Sequence, residues 1–438
     1  MADLLLMERP GARLDFRTLT HTRIDSLERL RAAAQLAVQI EMTTIPAYLT
    51  TLYSIADRTS NAYQTVRSVV VEEMFHLNQA ANILVGVGGR PRLTGSAVPV
   101  YPAYLPSANT KQTPYIGLFR GSPSVFSNVF MAIETPAPFT APPEGKNYQT
   151  IGQFYKALWD GICLCVERFG ERAVFRQDPK AAQRTDIYLG KFGGRPVEVV
   201  SKDTAWAGIQ QIVEQGEGAV DPTRTIVPTQ PFGSYNHYGM RPDGTYGPIL
   251  GTPYELSHYY KFMVIANAPD FPATLPIISN PKRSDFPPES EVAKALDTFN
   301  LAYSVMLKSF EAVFSSGVGD SGLFFKTTLP IMCDGMPGLA AMLMNTPLSP
   351  DGDASVGPNA APTYEYIETA TLGGVISALD ELGSGPTAGG IGSFLQSGFL
   401  PSGAGATAAV PDRTAKAREV AGTFRKLQRM AQSAGFDL

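Results

Sequence analysis

Two stretches far apart in the chain repeat one spacing. Val69-Val70-Val71-Glu72-Glu73-Met74-Phe75-His76-Leu77 holds Glu73-x-x-His76, and Tyr254-Glu255-Leu256-Ser257-His258-Tyr259-Tyr260 holds Glu255-x-x-His258. On a helix, residues three apart share a face, so each Glu and its His can reach the same ion. Val69, Ala80 and Ile83 extend the face of Glu73 and place its charge in the core. A buried carboxylate without a partner is strongly unfavourable, so it needs a cation or a proton. Glu41 and Glu217 stand in the same way on apolar faces of their own segments. Four inward carboxylates and two imidazoles suit two divalent ions, with the net charge near neutral. Two Glu-x-x-His helices, each preceded by a helix with an inward Glu, are the donors of a carboxylate-bridged di-metal site in a four-helix bundle.

In this reading Glu73 and Glu255 bridge the ions, His76 and His258 supply one imidazole each, and Glu41 and Glu217 are terminal ligands. Glu214 is the reserve for Glu217: it lies one turn away, but further round from Ile209, Ile212 and Val213. Glu167 is a second reserve. Gly216 and Gly218 flank Glu217 and weaken a helix there, which implies a local distortion or a close backbone approach beside the metals. Glu72 points about 100° away from Glu73 and reads as an ion pair or as a support for the ligands. Tyr48, Tyr53, Tyr259 and Tyr260 read as core or rim aromatics first, and as pocket-lining or electron-relaying groups second. His21 precedes the first helix and reads as a surface or staple residue, and His237, in a Tyr-Asn-His-Tyr-Gly turn, reads as a loop histidine before a substrate contact.

The elements that must position these residues are helices. Leu27, Leu30, Ala34, Ala37, Ile40, Glu41, Thr44 and Tyr48 recur at three- and four-residue steps, giving one helix from Asp25 to about Ile55. Asp25 with Glu28 resembles a capping pair, and Pro46 inside the pattern should kink the helix near Glu41. A second helix runs from Asn61 to about Val87, ended by Gly86, Gly88 and Gly89. Further helices are predicted over 122–134, 148–169, 204–217, 253–266, 289–315, 328–344 and 412–434, with short strands at 115–119 and 197–200. The fold class is mainly α. Residues 1–345 form the bundle domain, with insertions at about 90–148 and 221–253 rich in Pro, Gly and Tyr. Residues 346–438 form a low-charge extended tail plus a C-terminal helix that packs on the body.

Composition narrows the function. The 438 residues are 44% hydrophobic and carry a formal net charge of −4 without a block of like charge, so no nucleic-acid or membrane partner is expected. Three cysteines make no disulfide framework, and Cys163 and Cys165 read as buried free thiols; the expected compartment is the cytoplasm. The apolar run at the N-terminus is too short for a signal peptide, and no stretch is long enough for a membrane span.

The same segments resemble a known family. Leu36-Ala37-x-x-Ile40-Glu41-x-x-x-Ile45-Pro46-x-Tyr48-Leu49, Val71-Glu72-Glu73-Met74-x-His76-Leu77 with Ala81-Asn82-Ile83-Leu84, Phe130-x-x-Ile133-Glu134-x-Pro136, Gln215-Gly216-Glu217-Gly218-Ala219 and Leu256-Ser257-His258-Tyr259-Tyr260-x-Phe262 look like the ferritin-like domain of the iminophenyl-pyruvate dimer synthase family. The match runs from about residue 28 to 345. The resemblance implies a ferritin-like four-helix bundle with a metal centre and a role in oxidative specialised metabolism. In violacein- and rebeccamycin-type biosynthesis, members of that family couple two imines derived from aromatic 2-oxo acids. The function expected here is therefore a di-metal oxidase or oxygenase, with iron or an iron–manganese pair as cofactor. Its partners would be O2 and a small aromatic or amino-acid-derived substrate. Apolar surface stretches would support a homodimer. The alternatives are an iron-oxidising ferritin relative, or a metal-stapled bundle that serves another enzyme. The long insertions favour the enzyme, since a storage protein does not need them.

Overall fold

The computed structural model of the chain describes residues 23–104, 115–135, 150–189, 194–216, 256–316, 321–349, 352–384 and 413–433. It is built of helices. Helix α1 (Leu27–Ser54) starts at Ser26, not Asp25: the Ser26 hydroxyl accepts the Arg29 N–H at 3.2 Å. It runs through Pro46 and buries residues on every side, Glu41 among them. Helix α2 (Asn61–Gly86) is capped by Ser60 and is as thoroughly buried. Gly88 ends the segment at φ +85°, a conformation that favours glycine.

Two short strands follow, β1 (Ala103–Tyr104) and β2 (Tyr115–Ile116), paired antiparallel. Helix α3 comes in three pieces, Pro123–Val125, a π-helical turn Phe126–Phe130, and Met131–Ile133. Helix α4 (Ile151–Phe169) is capped by Thr150 and turns Phe154, Tyr155, Leu158, Ile162 and Cys165 inward. The stretch at 197–200, expected as a strand, is irregular; Gln79 and Gln183 side chains bond the Val197 and Val199 backbone. Helix α5 is Lys202–Gly216 and α6 is His258–Ala266.

Helices α1, α2, α5 and α4 pack each on the next and close a ring, the four-helix bundle. Helices α3 and α6 pack on one another, and α6 also lies on α2. The second Glu-x-x-His segment was expected as a bundle helix from residue 253. Instead α6 begins at His258, and Ser257 before it is extended.

The rest of the chain forms a helical layer on the bundle. Helix α7 (Glu291–Val313) packs on α8, whose pieces are Ser321–Leu323, Phe324–Thr328, Ile331–Gly335 and Met336–Met344. It also packs on α9 (Leu372–Ser384), which in turn carries α10 (Arg413–Ser433). Over the described residues 352–384 the chain is thus more structured than the expected extended tail. Asn359, Ala360, Ala361, Thr363 and Tyr364 are buried, and α9 is helical because Leu372, Val375, Leu379 and Leu382 share one face. One continuous hydrophobic core runs from Ile24 to Ala431 and joins the layer to the bundle. Among the described residues no helix is long and apolar enough to cross a membrane.

Candidate metal centre

The centre lies where α1, α2, α4, α5 and α6 face one another, with the residue after α3 at its edge. Helix α1 brings Glu41, Thr44 and Tyr48, at three- and four-residue steps. One turn of α2 brings Glu73 and His76, with Glu72 beside them. Tyr155 comes from α4, Gln215 from the last turn of α5, and His258 and Lys261 from the first turn of α6. Glu134 follows the last piece of α3. All of these residues are buried.

Each imidazole is held on one edge and open on the other. His258 Nε2 lies 2.8 Å from Glu72 Oε2, and Glu72 in turn receives Lys261 Nζ at 2.5 and 2.6 Å. His76 Nε2 lies 2.9 Å from Gln215 Oε1. With Nε2–H donating to these oxygens, the neutral ring keeps its lone pair on Nδ1. Both Nδ1 atoms face carboxylates: His258 Nδ1 is 2.9 Å from Glu73 Oε1 and 3.5 Å from Glu134 Oε1, and His76 Nδ1 is 3.6 Å from Glu41 Oε2. The two rings are 5.3 Å apart.

Hydroxyls fix the carboxylates. Thr44 donates to Glu73 Oε2 at 2.7 Å, Tyr48 to Glu134 Oε1 at 2.6 Å, and Tyr155 to Glu41 Oε1 at 2.5 Å. Phe130 and Phe262 pack on Tyr48, Phe126 packs on both and reaches out to half-buried Phe271, and Phe262 brings this apolar wall beside His258.

The residues fit a bound metal. His258 Nδ1 is buried and finds no hydrogen-bond partner, although Glu73 Oε1 is only 2.9 Å away. Two ligands at right angles on one ion, each bonded at about 2.1 Å, stand about 3 Å apart. Among the described residues, Glu73, His76 and His258 offer ligand atoms that all lie within 4.8 Å of one another. Charge agrees with this. Four buried carboxylates (Glu41, Glu72, Glu73, Glu134) face one buried ammonium, Lys261, and an excess of buried negative charge calls for cations or protons.

Without a cation, protons take up the excess. Burial opposes charging His258, but Glu134, Glu72 and Glu73 more than offset it and raise its pKa well above the ordinary 6.5. His76 is raised in the same way, with burial outweighed by Glu41 and Glu73. Burial, with Glu134 adding to it, raises the pKa of Glu73. Glu72 goes the other way: burial is outweighed by Lys261 and His258, and its pKa falls. Burial first, and the neighbouring carboxylates second, push the Tyr48 and Tyr155 phenols far up, so both stay protonated donors.

Of the residues singled out in the sequence, Glu41, Glu73, His76 and His258 come together here. Glu217 and Glu255 lie outside the described residues, as do His21 and His237. Glu255 and His258 cannot be paired on the grounds of a shared helical turn, because α6 starts at His258. Glu214 is half-buried on α5, while its neighbour Gln215 is the residue that reaches His76. Glu167 is exposed. Glu72 is the support and ion pair that its position implied. Tyr53 packs instead beside Ile277, Met344 and Ala361. Tyr259 and Tyr260 are half-buried and pack edge to face.

Five contributors were not foreseen as site residues: Thr44, Glu134, Tyr155, Gln215 and Lys261. Lys261 had a readable signal, since it lies three residues from His258 on the same helical face. Glu134 had a weaker one, an acid one turn after Phe130 at the end of an apolar run.

Comparison with family models matches residues 34–267 to the model described as ferritin-like, more than half of the chain. A crystal structure at 1.95 Å resolution of a ferritin-like protein from Caulobacter vibrioides superposes with a TM-score of 0.51 at 21% identity. The alignment covers 78% of this chain and 99% of that one, and the likeness is one of fold. Comparison with curated proteins gives no match.

Proposed function

The chain belongs to the ferritin-like family, and on that premise we propose that it is a di-metal oxidase or oxygenase, with two irons or an iron–manganese pair. The observation that carries the reading is the meeting of two imidazole Nδ1 atoms with Glu41, Glu73 and Glu134 in one buried site, His258 Nδ1 having no hydrogen bond of its own. One ion would be held by His258, Glu134 and Glu73, the other by His76, Glu41 and Glu73, with Glu73 between them. Bound iron would supply the redox chemistry, relaying electrons lost by the organic substrate to O2.

The protein's own groups have separate tasks. Thr44 and Tyr155 each hold one oxygen of a ligand carboxylate and leave the other facing an imidazole, while Tyr48 holds Glu134 Oε1, the oxygen that itself faces His258 Nδ1. The Tyr48 and Tyr155 phenols keep their protons and so remain donors at Glu134 Oε1 and Glu41 Oε1. Phe126, Phe130 and Phe262 exclude water from the His258 side. Fully buried and packed on one another, these rings make the surround of the centre apolar, which favours an organic aromatic substrate over a hydrated iron ion. The resemblance of the helical segments to the iminophenyl-pyruvate dimer synthase family supports the same class, a small aromatic or amino-acid-derived molecule.

The test is elemental analysis of the purified protein, followed by O2 uptake of the Fe(II)-loaded protein with and without aromatic 2-oxo acids and amino acids. Two ions per chain and O2 uptake that rises with an organic substrate are expected. Replacing the shared ligand, Glu73→Ala, should remove both ions. O2 uptake without any organic substrate would favour an iron-oxidising protein. Bound metal inert to O2 would reduce the centre to a staple.

A further inference from the structure

The two imidazoles present the same atom to the centre, but their outer edges differ. His258 Nε2 faces a carboxylate, Glu72, which is fully buried and tied through both oxygens to Lys261. His76 Nε2 faces a neutral amide oxygen, that of Gln215, whose own amide nitrogen has no partner. A charged acceptor on the far N–H makes an imidazole a stronger donor to a metal, and it fixes the ring more firmly than an amide does. The supports differ in stiffness as well. Glu72 is gripped at both oxygens, and its partner Lys261 stands on the same helix as His258, so ring and support move together. Gln215 stands on α5 and His76 on α2, so this ring and its support belong to different helices.

From this we infer that the two metal positions are unequal by construction: the Lys261–Glu72 pair makes the His258 position the tight one, and the Gln215-backed His76 position the exchangeable one. The inference rests on the di-metal reading above and deepens it. Ions load in order, the His258 position first. The His76 position is then the one open to a second, different metal, which is how a mixed iron–manganese pair would assemble. Lys261 and Glu72 are positioning residues here, since neither offers an atom to the ions.

Titration of the metal-free protein with Zn(II), a redox-inert probe, against a competing chromophoric chelator tests this. Two steps are expected, their dissociation constants differing by about tenfold or more. His258→Ala should abolish the tight step and leave the loose one; His76→Ala should do the reverse. Glu72→Gln should weaken the tight step by about 10–100-fold and leave the loose step within a few-fold. Because Glu72→Gln strands a buried ammonium, the double variant Glu72→Gln/Lys261→Met removes both charges together and should show the same selective loss in a protein whose metal-free circular dichroism is unchanged. Gln215→Leu should change the loose step alone. Two equal steps, or loss of the tight step in His76→Ala rather than His258→Ala, would overturn the inference while leaving the di-metal reading intact. Binding of fewer than two ions would overturn both.

Discussion

Glu41, Glu73 and Glu134 each carry a hydroxyl on one oxygen, and this decides where the other oxygen points. Tyr155 is the clearest case, since its phenol meets Glu41 Oε1 at 2.5 Å where both side chains are buried. A hydrogen bond to a charged group contributes about 1.5–3 kcal/mol, and a buried carboxylate that loses it has no water to turn to. Tyr155→Phe is therefore expected to lower the denaturant-derived stability of the metal-free protein by about 1.5–3 kcal/mol. It should also weaken the second Zn(II) step, because Glu41 would swing away from His76. An unchanged stability would mean that Glu41 is held by something other than this phenol. At this scale the sequence was informative wherever an acid or a histidine interrupts an apolar helical face, as Glu41, Glu73 and His76 do. Glu72 shows where face reasoning weakens. Helix α2 is covered all round, so a residue about 100° from Glu73 is as buried as Glu73 itself.

At the scale of the element, the site depends on where helices stop. Glu134 follows α3, whose π-helical turn at Phe126–Phe130 shifts the phase of everything after it. A period of 3.6 residues cannot anticipate such a shift, which is why Glu134 was not read as a ligand. The short α6 is similar: the Glu-x-x-His spacing implied a helix through residue 255, but Ser257 is extended and the helix begins at the histidine. The glycine beside Glu217 was legible as a close approach, and it is one. A Cβ on Gly216 would stand 3.2 Å from Glu134 Oε2. Gly216→Ala should leave the helix intact or firmer, since alanine is favoured over glycine by about 1 kcal/mol in a helix. Yet it should displace the Glu134 carboxylate by a few tenths of an ångström. The expected result is a thermal midpoint equal to or above that of the parent, with a several-fold weaker first Zn(II) step. A weaker second step instead would place Glu134 at the other ion.

Over the whole molecule, the α7–α10 layer and the bundle share one core, so a change at the candidate metal centre is expected to register in the stability of the entire fold. The layer was only partly legible. Apolar spacing gave α7, α10 and most of α8 but not α9, which lies in the stretch expected to be extended, and the burial of Tyr364 and its neighbours depends on α7, which offers Asn300 and Ser304 as partners to their backbone and side chains. Coupling through a common core makes global stability a reporter of the site. In the metal-free protein His76 and His258 have raised pKa values. Their contribution to stability is complete below their ordinary value of 6.5, and is lost as pH rises through the raised folded-state values. Raised Glu73 acts in the same sense from its ordinary 4.5 upward. Glu72, lowered by Lys261, contributes above 4.5 and loses its contribution only as pH falls through its folded-state value, so it does not oppose this trend near neutrality. The metal-free fold should therefore weaken as pH rises above about 6.5 through the neutral range. The loaded fold behaves oppositely, because metal displaces those same protons and binds better as they leave. The gap in thermal midpoint between loaded and chelator-treated protein should widen steadily across that range. Calorimetry at matched ionic strength measures it; a gap that stays constant or narrows would mean that the protons on His76, His258 and Glu73 do not occupy the place of the metal.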